Sequence, residues 1–227
     1  MGAPPTGASL ASHGTADASF QVDIRVLSAD ELPAAATILA VGMGDNPLHV
    51  KVFGAEPQRR QRRLDQFLGH LVGYVQVNGR LLGAFVDGKL VGVLGMLEPG
   101  RCRPDWKETL GFARVVAASN PPTGVWRVGR WRAVWTRNDP SAPHWHLGPL
   151  AVAPAYRRRG VGRRLLAQCC EHLDVLAAAA WLETDLAINV AFYETLGFSV
   201  VRQESLLGVP NWFMHRPAHG AVATHST

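Results

Sequence analysis

Apolar and polar positions change period several times along this chain, and each change predicts an element. Phe20 to Leu27 sets Val22, Ile24 and Val26 against polar neighbours, the alternation of a strand. Ser28-Ala29-Asp30-Glu31 offers cap residues, and Leu32 to Val41 reads as a helix with Pro33 in its first turn. Asn46-Pro47 breaks it. Pro57 opens a second helix carrying Leu64, Phe67, Leu68 and Leu71 at helical spacing, with Arg59, Arg60, Arg62 and Arg63 crowding one exposed end. Leu81 to Val86 and Leu90 to Met96 flank Asp87-Gly88, which predicts a hairpin. Gly92 and Gly95 in its second strand predict a bulge or a close backbone approach.

Pro104 to Arg137 reads as helical in pieces, broken at Asn120-Pro121-Pro122, with Trp106, Trp126, Trp131 and Trp135 expected to pack on a sheet. His144 to Val152 is a strand, and Gly160 to Leu173 a helix with Val161, Leu165, Leu166, Cys169 and Leu173 on one face. Ala180 to Leu186 is another strand, and Asn189 to Leu196 a short helix stopped by Gly197. Phe198 to Gln203 and Asn211 to His215 close the chain as strands. A hairpin followed by strand–helix–strand–helix–strand–strand makes a mixed sheet of the α/β class. There is no internal repeat.

Composition narrows the setting. Residues 1–19 are rich in Gly, Pro, Ala and Ser and cannot offset their ordering entropy, so a disordered tail is expected there, a single domain over 20–217, and a flexible tail over 218–227. The start has no basic, apolar-centred signal, and no apolar run approaches the roughly 18 to 20 residues of a membrane span. Cys102, Cys169 and Cys170 form neither a ligand cluster nor a paired framework. Reduced thiols, a cytoplasmic location and no metal are the expectation. The net charge of +5 is mild, but Arg157, Arg158, Arg159, Arg163 and Arg164 gather in one place.

That place carries the chemistry. In Leu150 to Leu166 (LAVAPAYRRRGVGRRLL) a strand runs through a loop with Gly160 and Gly162 into an amphipathic helix. Glycine lets a ligand approach the backbone, the first-turn amides have no acceptor, and the helix dipole favours an anion such as a pyrophosphate. The third glycine of a dinucleotide fingerprint and the Gly-Lys-Ser/Thr of a P-loop are both missing.

Arg157-Arg158-Arg159-Gly160-Val161-Gly162 resembles the coenzyme A signature of the GNAT acetyltransferase superfamily, Arg/Gln-x-x-Gly-x-Gly after a strand ending in Val. Asn189 to Phe198 (NVAFYETLGF) resembles its second hallmark, Asn-x-x-x-Phe-Tyr-Glu-x-x-Gly-Phe, at the usual separation. The likeness runs from about Val22 to Arg216. It is sharpest in His144-Trp145-His146-Leu147, Trp181-Leu182-Glu183-Thr184 and Asn211 to Arg216, pieces similar to the puromycin N-acetyltransferase-like branch. Asn46 to Phe53 and Glu98 to Asp139, the acceptor-facing segments, show no match, so antibiotic specificity does not follow.

The resemblance implies a GNAT fold, with a central mixed β-sheet of about seven strands flanked by helices and a helical insert between strands 3 and 4. It implies acetyl-coenzyme A as acyl donor. Pantetheine would slot between the splayed fourth and fifth strands, along Leu150, Ala151 and Val152, and the amides from Arg158 to Arg163 would hold the pyrophosphate, with Arg157 and Val161 in the same turn. Asn189 would touch the pantetheine arm or cap its helix. Tyr193 stands where the family places the acid for the departing thiolate, and a phenol near ~10 and a thiol near ~8.5 make that transfer reasonable. The base stays open between Glu183, His146 and a water; alternation puts His146 on the face of Gly148, Leu150 and Val152. The expected reaction is direct attack by a small-molecule amine in a ternary complex. A protein N-terminus or lysine as acceptor, and a non-catalytic acyl-coenzyme A sensor, remain alternatives. Nucleic acid and membrane partners are not expected, and the protein would be a monomer or homodimer.

Overall fold

Asp87 and Gly88 both adopt the left-handed conformation (φ 50° and 74°), as a tight hairpin turn requires, and the strands they join sit near one edge of the sheet. A computed structural model describes residues 20–218; the two expected tails lie outside the described residues, Ala218 excepted. The strands are β1 (Asp23–Val26), β2 (Gly79–Val86), β3 (Lys89–Leu97), β4 (Trp145–Val152), β5 (Ala180–Thr184), β6 (Ser199–Leu206) and β7 (Val209–Arg216), in spatial order β1-β2-β3-β4-β5-β7-β6. All neighbours are antiparallel except β4 and β5. This is the expected seven-stranded mixed sheet.

Helices cover both faces. On one lie α1 (Leu32–Met43), α2 (Pro47–Phe53), α3 (Pro57–Asn78) and the insert, α4 (Trp106–Ser119) with α5 (Pro122–Asn138). Leu39, Phe53, Leu64, Leu68 and Trp131 pack there against Val93 and Phe213. On the other lie α6 (Val161–Val175) and α7 (Ala187–Glu194). The predicted α6 stripe of Val161, Leu165, Leu166, Cys169 and Leu173 is buried against Val91, Leu94 and Leu182. Strands buried on both faces need apolar residues at successive positions, which is why β2 and β3 read as near-continuous apolar runs.

One element was missed and two expectations need correction. Past the break at Asn46-Pro47 the chain forms α2, to which no element was assigned, and Asp185, beyond β5, accepts hydrogen bonds from Leu48 N (2.7 Å) and Asn46 Nδ2 (3.4 Å). No local sequence pattern carries a cap supplied from so far along the chain. The arginines of α3 do not all crowd into solvent. Buried Arg60 donates to Gly44 O (2.7 Å), Gly54 O (3.1 Å) and Ala55 O (2.8 Å), satisfying carbonyls where α1 and α2 end. Arg63 donates to Phe53 O and Ser119 O. The tryptophans divide as well: Trp131 is buried, but Trp106 and Trp126 are 72% and 63% exposed on the outer faces of the insert.

Arg60 yields a stability prediction. Arg60→Met keeps the aliphatic stem and removes every donor from three carbonyls, and should cost about 3 kcal/mol. Arg59→Ala, at an exposed ion pair with Glu56, should stay within about 0.5 kcal/mol. Urea unfolding of the two variants checks this; equal midpoints would remove Arg60 from its role.

Candidate active site

β4 and β5 pair only at their beginnings, Trp145 with Ala180 and His146 with Trp181. Past that point β4 follows β3 and leaves β5. On the β3 side, Met96 lies opposite Leu147 while Leu94 lies opposite Leu150, so β4 carries an extra residue in the stretch holding Gly148 and Pro149. A Cβ on Gly95 would lie 2.5 Å from Gly148 O, so this glycine is the close backbone approach expected in β3. The extra residue reverses the phase of β4. Trp145 and Leu147 face the α6 layer before it, and Leu150 and Val152 face that same layer after it. His146 therefore lies on the opposite face from Leu150 and Val152, which corrects the simple alternation.

The slot has a definite polarity. Ala153 N donates to Val91 O, which in an antiparallel ladder directs the amide and carbonyl of Val152, and those of Leu150, away from β3 toward the gap. Ala151 turns its side chain to the other layer, against α1. Arg157 does not project as a free phosphate ligand. Its Nε donates to Val152 O (3.2 Å) and its Nη2 to Gly42 O (2.8 Å), pinning the loop to β4 and α1.

At one mouth of the gap stands the start of α6. The first helical bond is Arg164 N to Gly160 O (3.0 Å), so the amides of Val161, Gly162 and Arg163 have no helical acceptor. Gly160 has φ 80° and Arg158 φ 59°, and a Cβ built on Gly160 would meet nothing within 4 Å. That open, left-handed corner above unpaired amides fits a phosphate. The Val161 side chain is buried beneath it, whereas Arg158, Arg159, Arg163 and Arg164 are exposed around it.

At the other mouth is a cavity of about 410 Å³ between sheet and insert. Phe67, Phe112, Trp131 and Trp135 line one side; Glu183, Asn189 and Tyr193 belong to the other. Tyr193 packs its ring with Phe192 and Phe198, at centroid distances of 5.2 and 6.0 Å. Burial, with Asp185 nearby, pushes its phenol up, so the proton stays on at neutral pH. Asn189 is not the helix cap, since α7 begins earlier, after Leu186; its Nδ2 donates to Thr184 Oγ1 (3.3 Å).

Glu183 and His146 meet directly. His146 Nε2 lies 3.0 Å from Glu183 Oε2, and Trp181 Nε1 donates to Glu183 Oε1 (2.8 Å). Both base candidates line the cavity, but each Glu183 oxygen already has one partner, and His146 Nδ1 is buried and turned toward Asp139. Behind them the fold gathers residues that sequence spacing scattered. His144 Nε2 lies 3.1 Å from Asp139 Oδ1 and 3.5 Å from Cys102 Sγ. Burial pulls His146 down, but Glu183 and Asp139 outweigh it and leave the imidazole well above its usual value. His144 is likewise opposed by burial, yet held by Asp139 and Cys102 at about 10. The two histidines overcome burial and hold Asp139 below the usual carboxylate range. The alternation His144-x-His146 was the available signal for this cluster; Asp139 and Cys102 had none.

Comparison with known proteins agrees with this architecture. The model of the acetyltransferase (GNAT) family matches residues 48–198. A Corynebacterium glutamicum protein described as histone acetyltransferase HPA2 and related acetyltransferase superposes with a TM-score of 0.69 at 19% identity, covering 88% of this chain and 99% of that one. Polyamine N-acetyltransferase from Drosophila melanogaster, which forms N-acetylagmatine, gives 0.62 at 16% identity over 87% and 100%. A ribosomal-protein-alanine N-acetyltransferase from Escherichia coli gives 0.54 at 17% identity over 91% and 100%. Among the described residues no helix is long and apolar enough to cross a membrane. The family match spans well over half the chain, from α2 through the cradle to Phe198, and the chain belongs to the GNAT acetyltransferase family, as an acyltransferase.

Proposed function

We propose that this enzyme transfers an acetyl group from acetyl-coenzyme A to the amine of a small molecule with an apolar or aromatic body, by direct attack in a ternary complex. The observation that carries the reading is the gap between β4 and β5, with the Val152 amide and the Leu150 amide and carbonyl turned into it from one wall, a phosphate corner at one mouth and an aromatic cavity at the other. Similarity to acetyltransferases acting on polyamines and on a ribosomal protein supports an amine acceptor. The cavity favours an apolar one. Its carboxylates are already committed, Asp185 to Leu48 N and Asn46, Asp139 to His144 and Arg103, and Glu183 to His146 and Trp181. A polycation would find no free carboxylate among them. The segments that resemble the puromycin N-acetyltransferase-like branch point the same way.

Acetyl-coenzyme A brings an activated thioester, whose carbonyl carbon bonds to the amine nitrogen as its C–S bond breaks. The chain supplies the rest. The Val152 and Leu150 backbone orients the pantetheine arm, and the amides of Val161 to Arg163 hold the pyrophosphate, so binding prepays the entropy of bringing the reactants together. Tyr193 gives its proton to the departing thiolate sulfur and recovers one from solvent. Asn189 steadies the arm beside Thr184. The proton lost by the amine passes to water, because Glu183 and His146 are closed upon each other. Their part is to position the cavity wall.

Three measurements test the scheme. Turnover of Tyr193→Phe should fall by roughly 10² to 10⁴, the range of general acid catalysis, with melting temperature and coenzyme A affinity little changed. Turnover within threefold of wild type, with chemistry rate-limiting, would retire Tyr193 as the acid. Glu183→Gln should keep turnover within about tenfold, whereas a loss beyond about 10² would restore Glu183 as the base. Gly160→Val forces a branched residue to φ 80° and fills the phosphate corner. Calorimetry should show coenzyme A affinity reduced roughly tenfold or more, equivalent to losing one charge-assisted hydrogen bond of about 1.5–3 kcal/mol. Unchanged affinity would misplace the cradle. An amine panel read by free-thiol release then identifies the acceptor class.

A further inference from the structure

Cys102, Asp139, His144 and His146 gather at the active-site wall, and one candidate ligand atom of each lies within 4.8 Å of the others. Four donors at the corners of a zinc tetrahedron, with metal–ligand bonds of about 2.0–2.3 Å, stand about 3.3–3.8 Å apart. Here His144 Nε2 is 3.1 Å from Asp139 Oδ1, His146 Nδ1 is 3.8 Å from Asp139 Oδ1, and Cys102 Sγ is 3.5 Å from His144 Nε2.

The surroundings set each donor for this task. His144 Nδ1 lies 2.8 Å from Ala142 O, a carbonyl that can only accept, so with an ion bound Nδ1 would keep its proton while Nε2, which here faces Asp139 Oδ1, would give up its own and ligate. On the opposite ring nitrogen, His146 Nε2 lies 3.0 Å from the Glu183 carboxylate, which would keep the proton there and leave the inward-facing Nδ1 to ligate once the ion displaces its own proton. Asp139 Oδ2 is held by Arg103 Nε at 3.1 Å, leaving Oδ1 toward the cluster. Metal-binding histidines and carboxylates characteristically have such outer partners. One atom is otherwise unexplained: His146 Nδ1 is buried without a hydrogen-bond partner, and it faces this cluster.

We propose that these four side chains form a structural zinc site of the Cys-His-His-Asp type. Thiolate, imidazole and carboxylate together suit a borderline-soft, tetrahedral ion rather than magnesium or calcium, which take oxygen donors. Four protein ligands close the coordination shell and leave no place for substrate. Cys102 comes from the segment after β3, Asp139 from the residue after α5, His144 from the residue before β4 and His146 from the start of β4. The ion therefore ties both ends of the helical insert to the sheet, at the cavity wall to which Cys102, Asp139 and His146 contribute. Its presence depends on neither the acyl donor nor the acceptor.

The test uses the full chain, stripped with a chelator and reloaded with zinc alone, then desalted and assayed for metal. Wild type should retain about one zinc per chain and melt at a higher temperature than the stripped protein. Cys102→Ser and His144→Ala should each weaken zinc affinity by about tenfold or more, as measured by competition with a chromophoric chelator. Cobalt in place of zinc should give wild type a thiolate-to-metal charge-transfer band that Cys102→Ser lacks. Wild type that retains no zinc, or a Cys102→Ser/His144→Ala protein that binds zinc as tightly as wild type, would overturn the proposal. If that double variant fails to fold, the wild-type cobalt spectrum decides alone, and absence of the thiolate band refutes the site.

Discussion

Two residue pairs, Trp145 with Ala180 and His146 with Trp181, are all the pairing that β4 and β5 share. Backbone amides and carbonyls cannot be left buried without partners, so a parallel pair that parts this early creates a demand that a ligand can meet. Everything at the site follows from that demand. The residue added to β4 around Gly148 and Pro149 sends the strand along β3, and Ala153 N bonding to Val91 O sets which amides face the opening. Arg157 then fastens the loop to β4 and α1, fixing the start of α6 and its unpaired amides at the mouth of the same gap.

The acceptor side is assembled differently. Its walls come from segments distant in sequence, and polar groups of the sheet hold them there. Asp185 follows β5 and caps α2; Glu204 of β6 accepts from Asn138 Nδ2 (3.0 Å) and pairs with Arg137 at the end of α5. Asn211, fully buried in β7, accepts from Trp135 Nε1 at 3.4 Å. Aromatic rings fill the space between, with Trp131 edge-on to Trp135 at 5.1 Å and tilted over Phe67 at 5.9 Å. This wall of rings, with its carboxylates paired, is the basis for proposing an apolar acceptor. The Cys102, Asp139, His144 and His146 cluster fastens this wall from behind.

Much of the donor side was legible in the sequence because it is written locally. The glycines of the turn, the stripe of α6 and the Asp87-Gly88 hairpin each depend on neighbours within a few residues, and each was found where periodicity placed it. The acceptor side was not legible, for the complementary reason. Helix α2 depends on Asp185, Arg60 is drawn inward by carbonyls of two other segments, and the side of β4 on which His146 falls depends on an added residue that alternation cannot register. Cys102 looked like an isolated thiol because its partners lie on the far side of the insert. Tyr193, singled out by its motif, packs its ring between Phe192 and Phe198 and lines the cavity, and its role as the acid is a proposal.

The central claim, that the gap between β4 and β5 is the seat of the acyl donor, is tested most directly by residue-resolved amide hydrogen exchange with and without coenzyme A. The amides of Leu150 and Val152, directed away from β3, should exchange quickly in the free protein and slow markedly when coenzyme A is added. The amide of Ala151, directed toward β3 opposite Val93, should change little. Unaltered exchange at Leu150 and Val152 under saturating coenzyme A would place the donor elsewhere and contradict the account.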